Sequence, residues 1–388
     1  MNDVVIIGGG LYGASTAYHL LLREPGLKIC IIEPDPGYEH AASARSNGGV
    51  RVLFSQLESI QMSQFGHEFY ADFPRAMSID AEPAHLDLYR HGYMLMATDP
   101  AQIEDMKLNL ELQRSAGCNV ETYDSDSLAR KFPALHTDDV LMAVRAPQDM
   151  WIDPNTAVTS LMRKARSMGA RLIRQRVVGL NSDNGVMRSV ELDNGETITG
   201  QWIVNATGAW GPEICRMAGF EVPVKPLPMM VFYFETRADV GQFGVTIDLG
   251  HVSFRPEGAG FISINRRHDL AGSFHWQADQ TRFDEENWPR LAHRVPAFES
   301  IKVMSNYCCH YANNHFDGNL LLGAWPTAPD NFLIATGASG HGLQHAPAAG
   351  RGLSELILDR QFSTLDLKRF GCQRVVDNKP DPERGFVA

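Results

Sequence analysis

The stretch that most constrains this chain is its first thirty-three residues. Val4-Val5-Ile6-Ile7 is a run of four apolar β-branched residues, which reads as a buried parallel strand. Gly8, Gly10 and Gly13 follow in the spacing G-x-G-x-x-G. Ala14 to Leu22 then reads as a helix, with Ala14, Ala17, Tyr18 and Leu21 at helical spacing. Lys28 to Ile32 is a second apolar run, closed by Glu33. Strand, glycines, helix, strand and acid in this order match a dinucleotide-binding unit. The glycines serve a tight turn, close approach of backbone to a pyrophosphate, and close helix–strand packing. The anion sits where the helix N-terminus offers unpaired N–H groups and the positive end of its dipole. Glu33 can accept hydrogen bonds from ribose hydroxyls and its charge repels a 2′-phosphate, which argues against NADP. FAD and NAD both remain open at this point.

Composition removes several classes of partner. A net charge of −11 disfavours nonspecific binding to nucleic acid or to anionic membrane, both of which need a basic surface. No run approaches the roughly eighteen apolar residues of a transmembrane segment. The sequence enters its first strand almost at once, leaving no room for a leader, so a cytoplasmic location is expected. Cysteines at 30, 118, 215, 308, 309 and 372 lack C-x-x-C spacing, and the histidines form no H-E-x-x-H pattern. Reduced thiols and no metal are the expectation. A length of 388 residues suggests about two or three domains.

After the turn Pro34-Asp35-Pro36-Gly37, the small-residue stretch Ala41 to Arg51 lets backbone approach a flat or anionic ligand. Helices are expected at Gln56–Phe73, Ala101–Ala116, Asp124–Lys131 and Thr156–Met168, the last opened by Asp153-Pro154. Strands are expected at Tyr89–Ala97, Ala143–Ile152, Arg171–Leu180, Pro223–Glu235, Val252–Arg255, Gly260–Asn265 and Asn306–Tyr311. An Asn194-Gly195 hairpin joins Val190 to Ile198. Trp202 to Gly211 repeats the opening logic, an apolar strand ending in small residues. Phe283–Val295 reads as helix, a long helix runs on to about Leu358, and residues beyond Gly371 read as a peripheral tail.

Three further segments carry a family likeness: Ser46-Asn47-Gly48-Gly49-Val50-Arg51, Trp288 to Glu299, and Gly337-Ala338-Ser339-Gly340-His341-Gly342-Leu343-Gln344-His345-Ala346-Pro347. With them the chain resembles the D-amino-acid-oxidase-like FAD oxidoreductases, the group of glycine oxidase and monomeric sarcosine oxidase. Within it, the chain is similar to the mitochondrial FAD-dependent oxidoreductase domain-containing proteins and their bacterial relatives. The resemblance favours FAD over NAD. It implies an α/β fold, with a Rossmann-type FAD-binding domain from 1–84, 146–222 and 319–388. A discontinuous, mostly antiparallel-sheet α+β substrate domain would come from 85–145 and 223–318.

Carried over residue by residue, the likeness implies Gly8, Gly10, Leu11, Tyr12 and Gly13 on the pyrophosphate and Glu33 and Pro34 at the ribose. Ala42, Ser43, Arg45, Asn47, Gly48 and Gly49 would line pyrophosphate and ring, Val177 the adenine, and Ala206, Thr207, Gly208 and Trp210 the middle of FAD. Gly337, Gly340, His341, Gly342, Leu343 and Gln344 begin a helix whose N–H groups would face the flavin edge where negative charge collects. Gly340 or Gly342 replaced by Val is expected to lose FAD. The implied reaction removes hydride from a carbon next to nitrogen in an amine or amino acid and leaves an imine for water to split. Arg51, His341 and Gln344 are the catalytic candidates, and Arg51, Phe254, Arg255, His275 and Asn314 the substrate-binding ones. A carboxylate-bearing substrate wants an arginine fork, and Arg51 is the first choice.

The strand where monomeric sarcosine oxidase carries a lysine has none here, so a cation for oxygen would have to be Arg266, Arg267 or His341. A quinone or electron carrier is the alternative acceptor. Cys309 falls near the family's flavin-linked cysteine, although a buried inert thiol and non-covalent FAD are favoured. The alternative to an enzyme is a flavoprotein subunit or assembly factor that acts through a partner chain.

Overall fold

The computed structural model describes residues 1–385, in two eight-stranded sheets and one of three strands. In the first, Asn2–Ile7 lies parallel to Ile29–Ile32 on one side and Thr197–Asn205 on the other. Arg171–Ile173 and Phe332–Thr336 extend this parallel block outward. Val4 and Ile6 pack under helices Leu11–Arg23, Pro154–Ser167 and Gly342–Asp359, and Val5 and Ile7 pack on the opposite face with Ile214 and Phe332. Cover on both faces is why the strand is apolar without alternation. Pro154–Ser167 begins where Asp153 accepts from Thr156 N at 2.5 Å, a cap worth about 1 kcal/mol.

The second sheet runs, edge to edge, Ile301–Asn314, Val224–Thr236, Gly260–Arg266, Val252–Glu257, Val245–Asp248, Tyr93–Ala97, Met142–Ala146 and Glu121–Tyr123. Every neighbouring pair is antiparallel except Val245–Asp248 against Tyr93–Ala97. One face is an aromatic core of Phe232, Phe234, Phe254, Phe261, Phe283 and Phe298. The other presents Met229, Val231, Ile262 and Cys309.

Several expected elements are corrected. Tyr89–Ala97 and Ala143–Ile152 are each broken in two, because the chain leaves the small sheet of Gly49–Val50, Leu88–Tyr89 and Met150–Ile152 for the large one. Gly92 N donates to Asp149 O at 2.9 Å where the two crossings meet. Arg171–Leu180 also divides: Arg171–Ile173 joins the parallel block and Val177–Asp183 starts a hairpin. Asn184 and Gly185, at φ +50° and +74°, make that hairpin's two-residue turn. Phe283–Val295 is helical but passes through a π turn at Phe283–Asn287 before Trp288–Arg294.

The segment after Gly371 is no peripheral tail. Arg374 pairs with buried Asp317 at 2.7 Å, Asp381 O accepts from Gln56 and Asn319, and the buried Glu383 carboxylate accepts from Ser55 N at 2.6 Å. Buried polar groups elsewhere in the chain need these partners. All six cysteines are unpaired, and no helix of the described residues is long and apolar enough to cross a membrane.

Candidate active site

Two sets of residues make up the site, and one of them lines a cleft between the sheets. The first set sits at the ends of parallel strands. Gly13 lies so near Gly8 that a Cβ there would stand 1.9 Å from Gly8 O, so glycine alone allows helix Leu11–Arg23 this close to the opening strand. Gly10 is the N-cap and supplies no side chain, and a Cβ on it would stand 2.9 Å from Ser43 Oγ. Leu11 N donates to Ser43 Oγ at 3.0 Å, which draws the 34–48 loop against the helix start. The Glu33 carboxylate accepts from Gly9 N at 2.8 Å and Asp35 N at 2.9 Å, while burial pushes its carboxyl up despite those bonds. Tyr12 carries a buried hydroxyl with no hydrogen-bond partner. First-turn N–H groups, a Cβ-free approach and an acid one strand over fit the pyrophosphate and ribose of FAD.

Around this point Ala206 N donates to Ile7 O at 2.8 Å, and Gly208 O accepts from Thr336. Thr207 bonds Asn205 at 2.7 Å. Trp210 stacks on Phe274 at 4.8 Å, and Val177 is buried in the core beside Ile32. Arg45 lies over the Tyr307 ring at 5.6 Å, and Pro34, Ala42 and Ser43 belong to the same loop.

The second set lines the cleft itself: Asn47, Gly48, Gly49, Arg51, Gly340, His341, Leu343 and Gln344 above, and Tyr93, Ile247, Ser253, Ile264, Arg266 and Tyr311 below. Gln344 Oε1 accepts from Arg51 N at 2.8 Å and ties the two upper segments together. Helix Gly342–Asp359 closes its first turn with His345 N to His341 O at 3.2 Å, so the N–H groups of Gly342, Leu343 and Gln344 are first-turn donors. The loop before it turns at Gly337 and Ser339. Gly342 is roomier than expected, since a Cβ there meets nothing closer than 3.6 Å. Strain falls instead on Gly340, at φ +96°.

Arg51 is buried, donates to Leu53 O, lies over the Phe54 ring at 4.1 Å and reaches His341 Nε2 at 3.3 Å. Guanidinium only donates, so His341 Nε2 accepts and its proton is assigned to Nδ1. Burial first, then the Arg51 charge, hold His341 well below the ordinary histidine range. A neutral imidazole supplies no positive charge to oxygen, and Arg267 is occupied by Asp269 at 2.7 and 2.8 Å. His341 and Arg266 both face the cleft, and of the two Arg266 carries the charge. Its buried Nε has no partner, and among the described residues no carboxylate pairs with it. Tyr311 lies beside it and hydrogen-bonds its guanidinium, the phenol pushed up to about 12 by burial and therefore protonated.

The floor follows a strict alternation. Val245 pairs with Tyr93, Ile247 with Leu95 and with Ser253, and Arg266 with Met229, which pairs in turn with Cys309. Ser253 and Arg255 therefore share the cleft side, and Phe254 points into the aromatic core, 5.5 Å from Phe298. Arg255 donates through Nε to Asn47 O at 2.8 Å and Asn47 Oδ1 at 3.0 Å, so it holds the loop rather than the open cleft. His275 donates from its backbone to His310, and Asn314 is consumed by Asp317 and Asn319 O. The structure brings neither His275 nor Asn314 nor Phe254 to the cleft lining. Cys309 faces Arg45 O at 3.5 Å, its thiol pushed up by burial, and Cys308 faces the other way. Tyr93, Ile247, Ser253 and Ile264 escaped the sequence, where their one signal was alternation along strands of unknown register.

A model of the family described as "FAD dependent oxidoreductase" (DAO) matches residues 3–356. The chain is 32% identical to the Xenopus laevis FAD-dependent oxidoreductase domain-containing protein 1, over 99% of this chain and 85% of that one. It is 26% identical to mouse mitochondrial sarcosine dehydrogenase, over 95% of this chain and 41% of that longer protein. Among solved structures, L-proline dehydrogenase from P. horikoshii superposes with a TM-score of 0.87 at 23% identity, covering 98% of this chain and 99% of that one. That likeness fixes the fold: the layout of a cofactor-binding sheet beside an antiparallel one is shared. With the model spanning nearly its whole length, the chain belongs to the DAO family of FAD-dependent oxidoreductases.

Proposed function

We propose that this flavoenzyme oxidises the C–N bond of an amino acid or N-substituted amine that carries a carboxylate. The reaction takes a hydride from carbon and a proton from nitrogen, and water then splits the resulting imine into a carbonyl compound and an amine. FAD, when bound, supplies the two-electron acceptor. The observation that carries the reading is Arg266, a guanidinium on the cleft floor with a buried, unpartnered Nε beside the Tyr311 hydroxyl. A buried donor without an acceptor calls for one from outside the chain, and a carboxylate matches the fork.

In this reading Arg266 and Tyr311 hold the carboxylate, Ser253 offers a further polar contact, and Ile247 and Ile264 exclude water. Arg51, Gln344 and the first-turn N–H groups of Gly342–Asp359 face the flavin edge, with neutral His341 orienting Arg51. Gly8 to Gly13, Ser43 and Glu33 hold the adenosine half without a covalent bond. Of the described residues, 1–84, 146–222 and 319–385 form the FAD-binding domain, and 85–145 with 223–318 the substrate domain. The relative named for sarcosine, an N-methyl amino acid, supports a secondary amine as substrate.

The test is anaerobic bleaching of the flavin by N-methyl, D- and imino-diacid substrates, each beside its decarboxylated counterpart. Arg266→Ala is expected to raise the KM of a carboxylate substrate on the order of 100-fold, with Arg266→Lys in between and flavin content unchanged. An unchanged KM removes Arg266 from the reading. If no amine bleaches the flavin while another chain co-purifies, the partner-dependent alternative replaces it.

A further inference from the structure

On the far side of the antiparallel sheet, outside the cleft lining, His136, Asp139 and His293 bring their side-chain donor atoms within 4.8 Å of one another. His293 Nε2 lies 3.1 Å from Asp139 Oδ2, and His136 Nδ1 lies 3.9 Å from Asp139 Oδ1. His136 Nδ1 is buried and has no hydrogen-bond partner. Its other nitrogen faces Asp138 at 3.7 Å, and Arg294 grips both oxygens of Asp139 at 2.9 and 3.0 Å. The backbone is fixed as well, since His136 N donates to Arg294 O at 2.9 Å and Arg294 donates to His136 O.

We propose that His136 Nδ1, Asp139 and His293 Nε2 form a divalent transition-metal site, best suited to Zn2+, that clips the helix Trp288–Arg294 to the 136–139 turn. Two imidazoles and a carboxylate are a zinc ligand set, whereas Ca2+ and Mg2+ seek more oxygens than this cluster offers. Zinc–ligand bonds of about 2.0–2.2 Å put neighbouring ligand atoms ~3.3 Å apart, so His293 and Asp139 are already in place and His136 must close on them by at most ~1.5 Å. The outer contacts have the form that metal ligands usually show: Asp138 can hold His136 by its second nitrogen, and Arg294 fixes the carboxylate. His293 then keeps its proton on Nδ1. Charge favours a cation despite the guanidinium, because Asp139 and Asp248 both pair with the single Arg294, Asp138 adds a third carboxylate beside His136, and Asp248 Oδ1 is itself unpartnered. The side chain of His293 is 52% exposed, which leaves a fourth position open to water and an entry path. Residues so far apart in the chain give no linear motif.

The experiment takes untagged holoenzyme, treats it with a chelator, and titrates it with ZnCl2 by calorimetry and thermal unfolding. One equivalent is expected to bind and to raise Tm. His293→Ala, at a half-exposed position that folding tolerates, is expected to weaken binding by about tenfold or more and cancel the Tm gain. His136→Gln should do the same while flavin content stays at the wild-type level. No heat of binding and no Tm shift at several equivalents would overturn the site, as would one-equivalent binding unchanged in His293→Ala.

Discussion

At Gly8–Gly13 and at Gly340–Gln344, the chain offers a ligand backbone N–H donors at two helix starts. On the cleft floor it offers side chains, Tyr93, Ile247, Ser253, Ile264, Arg266 and Tyr311, drawn from several strands. A backbone cradle depends on what is missing from a side chain and on short, contiguous geometry. A side-chain floor depends on strand register, in which one residue of slip turns the whole set away. The first kind of surface suits the part of the ligand common to a family. The second can be rewritten by single substitutions, and it is where substrate choice is proposed to lie.

The contrast can be broken most severely at Gly13. Gly13→Val forces the first helix off the opening strand, since even a Cβ falls 1.9 Å from Gly8 O. Flavin binding is expected to weaken on the order of 100-fold, read from the 450 nm to 280 nm absorbance ratio. A variant purified with full flavin refutes the cradle.

The two faces of the floor sheet come next. Phe254→Ala empties a position in the aromatic core and is expected to cost about 3–5 kcal/mol in urea unfolding, with the KM of the surviving enzyme unchanged. Its neighbour Ser253→Val, on the cleft side, should leave stability alone and raise KM about fivefold. Reversal of that pattern would mean that the register is wrong.

The remaining effect is a pH slope. Burial, with the Arg351 charge second, lowers His19 to about 3, and burial with Arg51 lowers His345 to about 3. Both are neutral in the folded chain near pH 6 and partly protonated once it unfolds. Stability is therefore complete above about pH 6.5 and falls as pH drops toward 3, by up to ~1.4 kcal/mol per pH unit for each such histidine. Because both lie on the cofactor side, at the first helix and at Gly342–Asp359, His19→Phe should flatten the acid limb measured by unfolding between pH 7 and 5. An unaltered slope would place the acid sensitivity elsewhere.

How much of this was readable in advance follows from the same contrast. The strand, glycines, helix and Glu33 were legible because their spacing is local and each glycine answers to a nearby backbone clash. Arg51, His341 and Gln344 were legible through family likeness, and the structure brings all three together. Arg255 has the chemistry of a substrate ligand, yet its fork is taken by Asn47, Pro256 O and Glu257. Phe254 is a substrate candidate only while strand register is unknown, since register turns it into the core and its neighbour Ser253 to the cleft. The segment after Gly371 looked peripheral because its residues are polar, whereas Asp317 and Ser55 need those polar groups as partners.

One consequence concerns the order of synthesis. The opening strand is finished first, yet its sheet takes Thr197–Asn205 and then Phe332–Thr336, and its helix packs on Gly342–Asp359. At about 5–20 residues per second, roughly 20–70 s separate translation of Ile7 from that of the last of these. Throughout that interval Val4 to Ile7 is an apolar edge with no finished sheet to enter, so a nascent chain of this kind depends on being shielded until its final quarter emerges, and its cofactor can settle only after that.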